Sequence, residues 1–473
     1  MQGSDGMPAG QRGAAPAWGD TVPPGDAPDP DGPIPPAPRR RGKRTVTAVL
    51  TAMAPLTALI LLTSACSGGA AISAARAKGT SKPTPSRTPA ELSITPANGS
   101  QNVRPAGGIT VTAAHGKVSN VTVHTSGDAV AGALAADSKS WHSTWDLNVS
   151  TNYTVTATGV DAAGKAVTAT STFHTLSPPQ TFTTMISQGD KATYGVGMPI
   201  QLTFSQPITR EATVERALEL QTSQPVTGAW NWIDDEHVDF RPQNYWPAYT
   251  TVSFTGHLNG VEGAKGAYGA ADLTQTFKIG RSLIVVASTA SHHMNLYRDG
   301  KLFHTWPIST GQAGDDTPDG TFLTIEKGNP VEMKPADIAK GAPGYYDVQV
   351  NYAVRITWSG DYLHSAPWSI GEQGSTNVSH GCVNMPPQDA TEYYNMEVPG
   401  DPVTITGSPL AGTPGDGYTD WFLSWDQLLK NSATGQAVQA TSQGSTFVSA
   451  STLPASTATS PLETPASNNA RAA

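Results

Sequence analysis

From residue 92 to residue 280 the apolar residues come in short runs that alternate with polar ones. Ile109-Thr110-Val111-Thr112, Val121-Thr122-Val123-His124, Tyr153-Thr154-Val155-Thr156-Ala157-Thr158 and Ile200-Gln201-Leu202-Thr203-Phe204 all keep a period of two. Turn formers separate them: Asn98-Gly99, Gly107-Gly108, Gly116 and Ser126-Gly127-Asp128. That period turns one face of each run inward and the other to water, the pattern of half-buried antiparallel strands rather than helices. Pro178-Pro179 divides the region, so two β-sandwiches are expected, over 92–177 and 178–280. Their ends share a pattern, Ser171-Thr172-Phe173 and Thr274-Gln275-Thr276-Phe277, which suggests a duplication. Trp141 and Trp145 are read as core or sheet-face aromatics. So are Trp230, Trp232, Tyr245, Trp246 and Tyr249, in preference to a sugar-stacking platform.

What precedes the sandwiches is of another kind. Residues 1–38 are rich in Pro, Gly, Asp and Ala without apolar periodicity, and disorder is expected there. Arg39-Arg40-Arg41-Gly42-Lys43-Arg44 then leads into an apolar run over 46–62, followed by Ser64-Ala65-Cys66. A positive flank, a short apolar core and small residues form an export signal. The Cys resembles that of a bacterial lipobox, with Thr63 where Leu is usual and a leader longer than normal, so Cys66 is the expected lipidation site of a signal spanning 1–66. The alternative is an uncleaved membrane anchor, the run being near the lower limit for spanning. Either way the remainder lies outside the cell, with 67–91 a Ser/Thr/Pro-rich linker. Charged residues make up 14% of the chain and the net charge is −9, which excludes the basic stripe of a nucleic-acid binder. With two cysteines, one of them Cys66, no disulfide framework is expected.

The chemistry concentrates in Ser379-His380-Gly381-Cys382-Val383-Asn384, with His364-Ser365 upstream. A thiol with an imidazole in reach can transfer acyl groups through a thioester. The same residue types also suit an inert buried Cys, or a zinc site using His364, His380 and Cys382. Residue types alone leave these open. The hexapeptide, however, resembles the S/T-H-G-C-x-N/R signature of the L,D-transpeptidases (YkuD-type domains), which place a further His some fifteen residues upstream. The likeness extends over about 282–407, through Ser309-Thr310-Gly311 and Thr317-Pro318-Asp319-Gly320. Within it, Leu283-Ile284-Val285-Val286-Ala287 reads as a buried strand and Asp299-Gly300 as a hairpin turn.

The resemblance implies a fold that is mainly β. Two Ig-like sandwiches precede a β-rich L,D-transpeptidase catalytic domain (281–407), and a helical extension over 408–430 packs back on the fold, as in the mycobacterial subgroup. Trp421, Trp425 and Leu428 are spaced to share one helical face. A disordered tail is expected over 431–473. The resemblance also implies roles: Cys382 as nucleophile, His364 as general base oriented by the Ser365 carbonyl, and His380 shaping the site. Gly381, Cys382 and Tyr346 would form the oxyanion hole. Tyr346, Met333, Trp368 and Asn384 would bind substrate, with residues 326–343 lying over the site. An ion pair with His364 would lower the thiol pKa. No cofactor or metal is implied. The implied partners are peptidoglycan stem peptides, as donor and acceptor, and a membrane reached through the anchor at Cys66; a monomer is expected. L,D-carboxypeptidase activity and a non-catalytic wall-binding lipoprotein are the alternatives.

Overall fold

A computed structural model describes residues 90–452, apart from 126, 128, 162, 336, 337, 343 and 344. The expected export signal, Cys66, the expected linker up to residue 89 and the residues from 453 lie outside the described residues.

The alternating runs become strands as their periodicity requires. In the first sandwich one sheet joins Glu91–Thr95, Thr110–Ala114, Ser140–Ser143 and Gly132–Leu134; the other joins Gly116–His124, Asn152–Asp161 and Ala166–His174. Their inward residues, among them Val111, Val118, Trp141, Tyr153, Val155 and Phe173, form one core.

In the second module Trp230, Trp232 and Trp246 are buried with Phe204, Phe240 and Phe254, so most of the aromatic cluster is core. Tyr249 instead stays exposed and donates its hydroxyl hydrogen bond to Asp299 Oδ2 at 3.2 Å. The main sheet of this module contains a strand from the far end of the chain. Ala437–Thr441 pairs with Val226–Trp232 and, at Thr441, with Gln221 of Leu218–Thr222, and forms a hairpin with Gly444–Val448. The expectation of disorder from residue 431 onward is therefore corrected for 437–448. Val438 and Ala440 alternate into the core, and the side-chain oxygens of buried Glu215 accept from Ser432 Oγ (2.6 Å), Thr434 Oγ1 (2.6 Å), the Ala433 N–H (2.8 Å) and Trp232 Nε1 (3.2 Å). The Ser/Thr-rich composition that suggested a tail supplies the hydroxyl donors of this clamp.

The helix of the extension is also shorter than its apolar spacing suggests. It spans Trp425–Asn431 behind a Ser424/Gln427 capping box, and Trp421 belongs to a preceding 3₁₀ turn, Asp420–Phe422. Trp421 packs under the Arg241 guanidinium, 4.3 Å from its ring centroid, and donates from Nε1 to Gly197 O at 2.8 Å. Leu428 alone of the three is fully buried.

The catalytic domain has two sheets. One runs Lys301–Pro307, His293–Arg298, Leu283–Ser288, Pro402–Thr406, Gly320–Leu323; the other runs Lys327–Gly328, Val348–Arg355, Tyr362–Ser365, Val383–Met385. Helix Pro387–Met396 packs with them, Ala390 and Tyr393 entering the same core as Leu363, Val383 and Met385. Among the described residues no helix is long and apolar enough to cross a membrane.

Candidate active site

Two neighbouring strands assemble the site. Tyr362–Ser365 and Val383–Met385 pair in parallel, with Leu363 opposite Val383 and His364 opposite Asn384. Leu363, Val383 and Met385 face the core, so the period of two turns His364 and Asn384 to the other face. Cys382 stands one step before its strand. Strand spacing and rise put its Cα about 8 Å from that of His364.

His364 is buried, and its Nδ1 lies 3.0 Å from the Ser365 carbonyl. A carbonyl only accepts, so Nδ1 carries the proton and Nε2 is left with its lone pair. Burial pushes the imidazole pKa down to about 4, against the opposing pull of that carbonyl. Cys382 is a free, half-buried thiol that donates to Gly360 O at 3.8 Å. Burial pushes its pKa up to about 12; the Asp361 carboxylate adds to the rise and the Tyr362 N–H opposes it. Desolvation disfavours both charged forms and so opposes the ion pair that the resemblance implies.

The signature loop is tied from below. Thr317 Oγ1 accepts from the Gly311 N–H at 2.9 Å and donates to Gly381 O at 2.5 Å. Ser379 Oγ donates to Cys382 O at 2.5 Å and accepts from the Gly381 N–H at 3.3 Å. The Gly381 amide is thus turned to Ser379, which corrects its assignment to the oxyanion hole. The Cys382 N–H and Tyr346 remain; the Tyr346 hydroxyl pKa is raised by burial and then by the nearby Cys382 sulfur.

Asn384 is tied into the fold. It is buried, donates from Nδ2 to Ser369 Oγ at 3.1 Å, and pairs its backbone with Ser309. Its role is to hold the segment that carries Trp368. His380 is exposed and lies against Tyr346, ring centroids 5.0 Å apart. Trp368 is 56% exposed, with its ring 5.9 Å from that of His364. Met333 ends the strand Val331–Met333, opposite Val348, in a segment that pairs with Val348–Arg355 rather than forming a plain loop. Among the described residues no three His, Cys, Asp or Glu side chains gather as a metal site.

Sequence reasoning missed Gly360, Asp361, Thr317 and Ser379. Asp361 is the most consequential. It has burial enough to raise its pKa to about 6, opposed by a hydrogen bond from Thr357 and supported by the charge of Asp416. The only available signal was its place three residues before His364. Thr317 stood in a recognised segment, but its tie to Gly381 spans 64 positions.

A thiol and an imidazole held on adjacent strands, with amide and phenol donors beside the sulfur, define a cysteine acyl transferase carried behind Ig-like sandwiches. Residues 282–405 match the family model described as the L,D-transpeptidase catalytic domain, and residues 100–262 match the bacterial Ig domain. The chain is 35% identical to L,D-transpeptidase 5 of Mycobacterium tuberculosis over 351 residues, covering 72% of this chain and 77% of that protein. It is 32% identical to L,D-transpeptidase 2 of the same species over 329 residues, 69% of this chain and 80% of that one. The chain belongs to the L,D-transpeptidase family.

Proposed function

We propose that this enzyme is exported and forms 3→3 cross-links between peptidoglycan stem peptides through a thioester on Cys382. The observation that carries this reading is the Ser365 carbonyl on His364 Nδ1, which leaves Nε2 to take a proton. Cys382 Sγ attacks the L-centre carbonyl of the third stem residue while its proton passes to His364 Nε2. The Cys382 N–H and the Tyr346 hydroxyl meet the charge that develops on the carbonyl oxygen. When the C–N bond breaks, the terminal D-Ala amine leaves with the His364 proton, and the thioester remains. The side-chain amine of a second stem attacks that thioester, gives a proton to His364, and the C–S bond breaks to return the thiol. Trp368 walls the cleft, and Met333 belongs to the segment beside it. Cys66, following small residues and an apolar run, would carry the lipid that holds the enzyme on the outer membrane face, with the sandwiches as a spacer.

The test is muropeptide analysis with the purified chain. Cross-linked dimers are expected, absent with Cys382→Ala; trimmed tripeptides in their place would make water the acceptor and overturn the cross-linking assignment. Radiolabelled lipid incorporated into the parent and lost in Cys66→Ala tests the anchor.

A further inference from the structure

Residues 357–361 form the turn facing the nucleophile, and its shape is fixed from the C-terminal extension. Thr357 Oγ1 accepts from the N–H groups of Gly360 (3.1 Å) and Asp361 (2.7 Å) and donates to Asp361 Oδ2 at 3.1 Å. Ser359 Oγ lies 3.1 Å from the same hydroxyl. On the other side Asp416 grips Ser359 at two points. Its Oδ1 accepts from the Ser359 N–H at 2.7 Å, and its Oδ2 accepts from Ser359 Oγ at 2.6 Å. The neighbours of Asp416 press on the same turn: Tyr418 meets Trp358 edge-on, centroids 5.8 Å apart. A Cβ on Gly417 would stand 2.7 Å from Ile356 O, so only glycine permits this approach.

The turn reaches the sulfur in two ways. Gly360 O accepts the Cys382 S–H, and the Tyr362 N–H, just beyond the turn, favours the thiolate. One backbone segment therefore offers an acceptor before the proton leaves and a donor afterwards. Its placement is worth more than its own stability, because a misplacement of about 1 Å can slow bond formation about a hundredfold.

We propose that Asp416 is a positioning residue for acylation: through its two-point grip on Ser359 it sets the turn whose Gly360 carbonyl holds the Cys382 S–H. The proposal rests on Cys382 being the nucleophile. It makes the extension a working part of the active site, although Asp416 touches no reacting atom.

The experiment is single-turnover acylation of the full chain by imipenem, followed by stopped-flow absorbance and normalised to titratable thiol. Asp416→Ala is expected to lower the limiting acylation rate constant about ten- to a hundredfold with the imipenem binding constant little changed. Asp416→Asn keeps an acceptor for the Ser359 N–H and a donor for Ser359 Oγ, and is expected to restore the rate to within about threefold of the parent. Ser359→Ala, which removes one of the two grips, is expected to fall between them and serves if Asp416→Ala does not fold. A limiting rate per thiol within twofold of the parent in both Asp416→Ala and Ser359→Ala would overturn the proposal, as would an equally slow Asp416→Asn. Intact-protein mass spectrometry of Cys382→Ala separates the two levels: an imipenem adduct on that variant removes the nucleophile reading itself, and the proposal with it.

Discussion

Asp361 occupies the space that a side chain at residue 381 would need: its Oδ1 lies 2.5 Å from the position of a Cβ on Gly381. The glycine is required twice over, because its φ of +125° also lies in a region L side chains rarely adopt. Gly381→Ala is expected to destabilise the fold by about 1–3 kcal/mol, the range for a strained backbone position, and to slow adduct formation on Cys382 at least tenfold. Thermal denaturation and timed mass spectrometry check both; an alanine variant with parental rate and melting temperature would contradict the crowding.

The same carboxylate sets a pH dependence. Its pKa is raised to about 6, and once ionised it holds the Cys382 thiol up. Below about pH 6 the group is neutral and opposes thiolate formation little; above it the opposition is complete. Thiol alkylation in Asp361→Asn should therefore match the parent at pH 5 and exceed it at pH 8. A ratio independent of pH would show that the carboxylate acts by structure alone.

His364 and His380 differ sharply in surroundings, and their variants should too. His364→Ala is expected to lower the acylation rate by two to about four orders of magnitude, the range for losing a general base. His380→Ala removes an exposed ring resting on Tyr346 and should lower it less than tenfold. Because burial holds the His364 pKa down to about 4, the imidazole stays neutral at ordinary pH. In Asp361→Asn, where no carboxylate titrates beside the thiol, the acylation rate should thus hold level from pH 8 down to about pH 5 and fall below it as His364 takes up a proton. A limb centred near pH 6.5 would point to a solvated base instead.

Glu215 is surrounded by four donors, two of them hydroxyls and one an indole N–H. Glu215→Ala leaves them without their buried acceptor, and a loss of about 3 kcal/mol or more is expected. Limited proteolysis should then cut within 435–450 faster than in the parent. Urea unfolding gives the size of the effect; unchanged protection would mean the strand pairing holds the hairpin unaided.

Much of the scaffold was readable because it depends on local period. Val111, Val155 and Leu202 sit where alternation places them, and Trp230 and Trp246 are packed as core aromatics. Cys382, His364 and Ser365 were legible as residue types in a known pattern. What the sequence hid is long-range. Asp416 meets Ser359 across 57 positions and Ser432 meets Glu215 across 217, and neither pair carries a periodic signal. The Ser/Thr-rich stretch after residue 431 looked solvated because hydroxyls are usually satisfied by water; here a buried acid takes that place. The pattern shows an imidazole upstream of the thiol but not the burial that opposes charge on both.

The strand Ala437–Thr441 lies inside the second sandwich, hydrogen-bonded on both sides, while the whole catalytic domain is encoded between that strand and its partners. In chain order the catalytic domain is thus an insertion within a sandwich. Until the last segment arrives, Leu218–Thr222 and Val226–Trp232 present two open edges to their surroundings. Closing them requires contacts more than 200 residues apart, so completion of this sheet is a late and slow step. A chain cut short near residue 430 would carry an intact Cys382 beside a module whose strand edges lack the partner that closes them.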